Sequence, residues 1–179
     1  MVYVLLANGF EEVEAIEPID IMRRSGIEVL TASIMEGKEV KGAHNITVTA
    51  DIMADEIDIN NMELIMLPGG GEGHERLDNS KKVHELLDLA NENGIYIAAI
   101  CASPSILGRK NLLSGKRATC FPGFENFLYG AQYTADKVVT DGKIITSRGA
   151  GAAADFGFEI VSVLKDRETA NKIKAQMQY

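Results

Sequence analysis

Four short and almost wholly apolar runs along the chain have the length of buried strands. They span residues 2–7, 27–34, 64–67 and 95–100. Apolar residues at helical spacing predict a helix over 11–25 and another over 81–93. Because strands alternate with helices, we expect an α/β fold with a mostly parallel sheet covered by helices on both faces.

Smaller elements are predicted around this frame. The alternation at Ile46–Thr49 predicts a small antiparallel pair with the segment around Val40. The Asp141-Gly142 turn predicts a hairpin between neighbouring strands. Further strands are expected at 117–120, 137–140 and 143–146, and further helices from Gly149–Gly151 through Leu164 and over 166–177.

Length and composition restrict the classes of protein that remain. A chain of 179 residues without repeats or linkers predicts one domain over 1–179, and 46% apolar residues suffice for a large core. A net charge of -8 argues against a nucleic-acid surface. No run resembles a membrane span or a secretory leader. Two cysteines and seven methionines fit a reducing cytoplasm.

Cys101 lies where a buried strand meets a small-residue turn and a short helix with Pro104 in its first turn. Such a turn exposes its side chain at the carboxyl end of a parallel sheet, where α/β folds bind ligands. The start of a helix also lowers the pKa of a thiol. A nucleophile and a small packed core residue are both compatible with this position.

Two other loops follow parallel strands and are expected at the same edge of the sheet. Pro68-Gly69-Gly70-Gly71 offers backbone amides that could stabilise an oxyanion, although a flexible turn is the alternative. It matches neither a dinucleotide fingerprint nor a phosphate-binding P-loop. The loop at 8–14 carries an acidic cluster, which is interpreted as a solvated helix start: Glu11, Glu12, Glu14 and Glu17.

The histidines offer little support for a metal site, because none has ligand spacing with a cysteine. His74 is interpreted as a solvated loop residue, His84 as an exposed helix residue, and His44 as a polar residue with a possible interface role. We therefore expect no metal and no cofactor.

Four segments in register resemble the ThiJ/PfpI superfamily, closest to the branch of the Parkinsonism-associated protein DJ-one and its bacterial relatives. The segments are Gly9–Glu14, Leu67–Gly70, Ala98–Ala102 and Thr146–Gly149. The resemblance runs over nearly the whole chain. It implies a flavodoxin-like three-layer sandwich with a nucleophile-elbow cysteine, usually in a homodimer.

The resemblance also implies roles for individual residues. Glu14 would be the acid hydrogen-bonded to the thiol of Cys101, while Gly70 and Ala102 would supply amides to an oxyanion pocket. A carboxyl buried beside a thiolate should have a raised pKa, so that it can donate a hydrogen bond to sulfur. By the same resemblance Cys120 lies near the site, where we favour a small packed residue over a resolving thiol.

Two positions depart from the superfamily. Phe121 stands before Pro122, where several members have a histidine, and Ala102 follows the cysteine, where the protease branch has one. The absence of both histidines argues against peptidase activity.

Two functions remain open from the sequence. Relatives act on reactive dicarbonyls or early glycation adducts, which would make small aldehydes or glycated molecules the substrates of a glyoxalase- or deglycase-like enzyme. The alternative is a redox-responsive or chaperone-like protein, in which Cys101 is oxidised to a sulfinate that Glu14 stabilises.

Overall fold

The structure is a computed structural model that describes residues 1–179. The strands are β1 (Val2–Leu6), β2 (Val29–Ser33), β3 (Glu39–Lys41), β4 (Thr47–Thr49), β5 (Ile52–Met53), β6 (Leu64–Leu67), β7 (Tyr96–Ile100), β8 (Arg117–Ala118), β9 (Gln132–Tyr133), β10 (Val138–Asp141) and β11 (Ile144–Ser147). The α-helices are α1 (Glu12–Arg24), α2 (Gly71–Asp78), α3 (Lys81–Glu92), α4 (Pro104–Arg109), α5 (Ala153–Leu164) and α6 (Arg167–Gln176).

Seven strands form one sheet in the order β10-β11-β7-β6-β1-β2-β5. All neighbours are parallel except β10 and β11, which form the predicted hairpin. Because β1, β6 and β7 lie side by side and run in the same direction, the loops after them meet at one edge of the sheet.

Alternate residues of each strand point to opposite faces of the sheet, so the sheet separates two apolar cores. In β1, Val2, Val4 and Leu6 enter the core that α1, α5 and α6 cover. Tyr3 and Leu5 enter the other core, with residues from α2, α3 and α4. This three-layer arrangement confirms the predicted α/β sandwich.

The first core depends on close approach of α1 and α5. Gly157 of α5 faces Pro18 and Ile21 of α1, and a Cβ at Gly157 would lie 3.0 Å from the Pro18 Cα atom. The chain therefore has no side chain where these two helices come together.

Most predicted elements are confirmed to within a few residues, including the β3–β4 pair. The predicted strand at 117–120 contains only Arg117–Ala118. The sequence pattern missed α2, because glycines at positions 71 and 73 disfavour a helix on propensity. No helix combines the length and the apolar character that crossing a membrane requires.

Candidate functional site

Cys101 occupies a strained turn between β7 and α4. Its φ angle is +67°, a left-handed conformation that non-glycine residues rarely adopt. The Cys101 amide donates to the Ser147 carbonyl at 2.9 Å, and the Cys101 carbonyl accepts from the Phe121 amide at 2.7 Å. These two bonds hold the turn in place, and the arrangement is that of a nucleophile elbow.

Glu14 lies in the first turn of α1, the helix that follows the loop after β1, and its side chain reaches the thiol. Its side chain is 1% exposed and hydrogen-bonded to the thiol of Cys101. The Gly69 amide donates to Glu14 Oε2 at 2.9 Å. A Cβ at Gly69 would lie 2.6 Å from the Cys101 Cβ atom, so only glycine fits between the carboxyl and the thiol.

Two further amides point at the sulfur. The backbone N–H groups of Gly70 and Ala102 donate toward Cys101 Sγ, and each lowers the pKa of the thiol. Neither amide donates to a backbone carbonyl. Gly70 has a φ of +98°, which a residue with a side chain would adopt only with strain. The two donors are therefore free to stabilise negative charge that forms next to the sulfur.

Burial and charge repulsion disfavour two negative charges in the site at once. Burial raises the pKa of Glu14 to about 7. Burial and the neighbouring Glu14 carboxylate raise the pKa of Cys101 to about 12. The expected lowering of the thiol pKa is therefore wrong, because burial and the carboxylate outweigh the amides and the short helix. Between about pH 7 and about pH 12 the two groups therefore share one proton and one negative charge.

An open cavity of about 440 Å³ lies next to the Phe121–Pro122 segment, and neither Cys101 nor Glu14 lines it. Phe121 and Pro122 line it together with Lys137, Arg148 and Gly149–Ala152. The ring of Phe121 is close enough to Gly149 that a Cβ there would lie 3.2 Å from its Cδ2 atom. Phe121 therefore presents an apolar ring, without a proton donor, where several members of the superfamily have a histidine.

The acidic cluster is less solvated than the sequence interpretation held. Glu12, like Glu14, is buried, and its Oε1 accepts the His44 amide at 2.8 Å. His44 Nδ1 lies 2.9 Å from Glu12 Oε2 and 3.6 Å from Glu11 Oε2, and these carboxylates raise the pKa of His44. Glu12 thus fastens the β3–β4 hairpin to the start of α1, whereas Glu17 stays partly exposed.

One group of side chains has the proximity that a metal ion requires. Ligand atoms of Glu11, Glu12 and His44 all lie within 4.8 Å of one another. His44 lies more than 30 positions from the two glutamates, so the sequence carries no ligand-spacing signal for this group. Both oxygens of Glu12 already accept hydrogen bonds from the hairpin, so the group is explained as a structural ion pair.

The interpretation of His74 as a solvated loop residue is wrong. His74 lies on α2, is 7% exposed, and has its Nε2 atom 2.9 Å from the hydroxyl of Ser105. Its ring packs edge-on against Phe124, with the centroids 5.5 Å apart. His84, on α3, is half-buried, and its Nε2 atom lies 2.6 Å from the Asp78 carbonyl.

The second cysteine does not join the site. Cys120 is 1% exposed and packs in the core on one face of the sheet. Cys101 packs against the core on the opposite face. Burial raises the pKa of Cys120 to about 12. This position suits the small packed residue that the sequence analysis favoured.

Fold and site together define an α/β protein with a cysteine at a nucleophile elbow and a carboxyl as its partner. Comparison with known proteins gives the family. The family model described as "DJ-1/PfpI family" matches residues 1–163. The chain therefore belongs to the DJ-1/PfpI family, as the sequence resemblance indicated.

The relatives differ in length. The chain is 35% identical over 172 residues to "Protein dj-1beta" of Drosophila melanogaster, covering 95% of this chain and 92% of the relative. It is 36% identical over 178 residues to "Protein DJ-1 homolog B" of Arabidopsis thaliana, covering 98% of this chain but only 41% of that protein.

Two further similarities bear on function. A protein of Pyrococcus abyssi named a deglycase is 33% identical over 166 residues, covering 92% of this chain and 99% of the relative. The solved structure described as "Toxoplasma gondii DJ-1, oxidized" superimposes with a TM-score of 0.94 at 35% identity, covering 99% of this chain and 97% of that one.

Proposed function

We propose that this protein acts on reactive dicarbonyls or early glycation adducts, as a cysteine-dependent enzyme without a cofactor. The observation that carries the proposal is the Cys101–Glu14 pair, with the amides of Gly70 and Ala102 aimed at the sulfur. The similarity to a protein named a deglycase supports the same class of substrate. The substrate would be a small aldehyde such as methylglyoxal or a glycated molecule.

The first step uses the single charge of the pair. As Sγ of Cys101 attacks the aldehyde carbon, the thiol proton passes to the Glu14 carboxylate. The π electrons of the carbonyl move to its oxygen, and the amides of Gly70 and Ala102 stabilise the resulting oxyanion. Glu14 then returns the proton, which gives a neutral hemithioacetal. The negative charge moves but its amount does not change.

The remaining steps are an isomerisation and a hydrolysis. Glu14, again a carboxylate, removes the hydrogen on the former aldehyde carbon as a proton, and the electron pair forms an enediolate with the neighbouring ketone. Glu14 returns this proton to the former ketone carbon, and the hydroxyl proton on the former aldehyde carbon moves to the enediolate oxygen, which gives a thioester of a 2-hydroxy acid. Water cleaves the thioester and restores the thiol. Oxidation of one carbon balances reduction of its neighbour, so no external oxidant is needed.

Lactate formation from methylglyoxal tests this proposal. We expect wild type to produce lactate and Cys101→Ser to produce none, because the hydroxyl is a far weaker nucleophile. Cys120→Ser is the matched control and should keep the activity. Turnover that survives in Cys101→Ser would exclude the proposed nucleophile.

The buried carboxyl of Glu14 also supports a second function, in oxidation of Cys101. We propose as the alternative a redox-responsive or chaperone-like protein in which peroxide oxidises Cys101. Two peroxide molecules each transfer one oxygen atom to the sulfur, giving a sulfinate and two waters. Glu14, with its pKa raised to about 7, can donate a hydrogen bond to that sulfinate. Oxidised Toxoplasma gondii DJ-1 has the same fold.

We also propose that residues 1–179 form a single domain that assembles as a homodimer. Support comes from exposed apolar side chains near the start of α1, where Val13 is 45% and Ile16 is 42% exposed, and from Ile46, which is 57% exposed. Ile19 and Met22, on the same helix, belong to the core.

A further inference from the structure

A polar cluster with a buried centre, His74 and Ser105, joins α2 to α4 next to the candidate site. Ser105 is fully buried, and its hydroxyl lies 2.9 Å from His74 Nε2. Arg109 donates to the Ser105 hydroxyl at 3.1 Å and to Asp78 Oδ2 at 2.7 Å. The guanidinium carbon of Arg109 lies 5.1 Å from the centroid of the Phe127 ring. The cluster therefore bridges the two helices with side chains alone.

The direction of the central hydrogen bond follows from Arg109. A guanidinium has only donors, and one of its nitrogens lies 3.4 Å from His74 Nε2. Nε2 is therefore the acceptor, and the Ser105 hydroxyl donates to it. Burial lowers the pKa of His74, which favours the neutral ring that this bond requires. The charged groups around the ring are Glu75 and Asp78 on α2 and Arg109 on α4.

The two residues that form this bond, His74 and Ser105, are each hydrogen-bonded through their backbone to a residue whose own amide faces the sulfur. The backbone amide of His74 donates to the Gly70 carbonyl at 2.8 Å, and that of Ser105 donates to the Ala102 carbonyl at 3.0 Å. Gly70 and Ala102 are the two residues whose own amides point at Cys101 Sγ. The separation of α2 and α4 therefore sets the separation of the two donors.

We propose that His74 and Ser105 are positioning residues, whose hydrogen bond holds the Gly70 and Ala102 amides together on the sulfur of Cys101. The expected effect on turnover rests on the proposed enzymatic function. The expected effect on the reactivity of the sulfur does not depend on that function. Ser105 is not itself a second nucleophile, because its side chain is fully buried. Its contribution is geometric.

The test that needs no turnover is alkylation of Cys101 by iodoacetamide at pH 8, followed by peptide mass mapping. Alkylation requires negative charge on the sulfur, and a displaced amide leaves more of that charge on Glu14. We expect Ser105→Ala and His74→Leu to lower the alkylation rate constant by about tenfold, which corresponds to a change of one pKa unit.

Rescue by conservative variants separates positioning from general damage. Gln places an acceptor near the former Nε2 atom, so His74→Gln should keep most of the wild-type rate, and Ser105→Thr keeps the hydroxyl. His84→Leu is the matched control, because His84 on α3 lies within hydrogen-bond distance of the Asp78 carbonyl of α2 and forms no hydrogen bond to α4. It should leave the rate unchanged even if it lowers the melting temperature.

The inference is overturned if Ser105→Ala and His74→Leu alkylate at the wild-type rate, or if His84→Leu loses as much rate as they do. A turnover arm then uses methylglyoxal, where misplaced oxyanion donors should lower kcat and leave KM unchanged. If wild type shows no turnover, the proposed enzymatic function fails, while the alkylation result still decides the inference.

Discussion

Glu14 is a buried carboxyl without a cation beside it, and its burial has a thermodynamic consequence. Its pKa is about 7 in the folded protein against 4.5 for an ordinary glutamate. Folding therefore favours the protonated form. The stability that this preference contributes is complete below pH 4.5 and is lost as the pH rises through 7. The site accordingly weakens the fold at neutral and alkaline pH.

Replacing Glu14 by Gln should relieve this cost. We expect Glu14→Gln to raise the free energy of unfolding at pH 8 by up to about 3 kcal/mol, the equivalent of the raised pKa. At pH 4 the effect should vanish, because the glutamate is then neutral. Urea unfolding at the two pH values measures the difference. An equal effect at both would show that the carboxyl is solvated.

Because Phe121 stands where several superfamily members have a histidine, we expect Glu14 to be the group that carries protons at the thiol. The dependence of kcat/KM on pH should therefore show a single rising step near pH 7, where the pair gains its negative charge. Phe121→His places a second titrating ring beside Gly149 and should add a second step. Initial rates with methylglyoxal between pH 5 and 9 measure the profile. A second step in wild type would point to another proton carrier.

Oxidation should distinguish the two cysteines by access. Cys101 is partly exposed, whereas Cys120 is buried in the core. Peptide mass mapping after mild peroxide should find sulfinate on Cys101 and an unmodified Cys120. In Glu14→Leu the sulfinate should persist for a shorter time, because its hydrogen-bond donor is gone. Modification of both cysteines to the same extent would contradict a special site.

At the scale of elements, the contact of α1 with α5 tolerates little added volume. Gly157→Ala would place a Cβ 3.0 Å from the backbone of Pro18. We expect a loss of about 1–2 kcal/mol, because overpacking outweighs the better helix propensity of alanine. Gly151→Ala is the control, since nothing lies within 4 Å of its Cβ position. Chemical denaturation of the two variants gives the comparison.

The elements that the sequence predicted well are those with strong periodicity. The β6 strand is bounded by the predicted residues, and α3 is shorter than predicted by one residue. Helix α2 was missed because tertiary contact and not propensity forms it. A Cβ at Gly73 would lie 2.7 Å from the backbone of Phe10, so glycine is there for packing.

Less of the site than of the fold could be predicted. Cys101 follows from local sequence, because a strand-to-helix turn exposes its side chain. Glu14 and Gly69 are 55 positions apart, and only the resemblance to relatives selected Glu14 from four nearby glutamates. Burial, which decides the pKa values of the thiol and of His74, depends on the whole fold. It therefore had no local signal in the sequence.

At the scale of the whole molecule, the exposed apolar side chains near α1 predict self-association. We expect wild type to be a dimer by light scattering. Ile16→Asp should shift it to monomer at micromolar concentration, because a charge would be buried in the interface. Leu89→Asp is a control on α3, where Leu89 is 40% exposed. A concentration-independent monomer in wild type would refute the dimer.

The sheet keeps the two cysteines in separate cores, and this separation determines what the protein can do after oxidation. The second thiol of the chain, Cys120, is buried, so an oxidised Cys101 has no exposed partner for an internal disulfide that a reductant would later open. Further oxidation to sulfinate is irreversible without a dedicated repair enzyme. In the redox alternative each molecule would thus record one oxidative event permanently. The fraction of oxidised molecules would then measure the total peroxide exposure, and it would fall only when the protein is replaced, not when it is reduced.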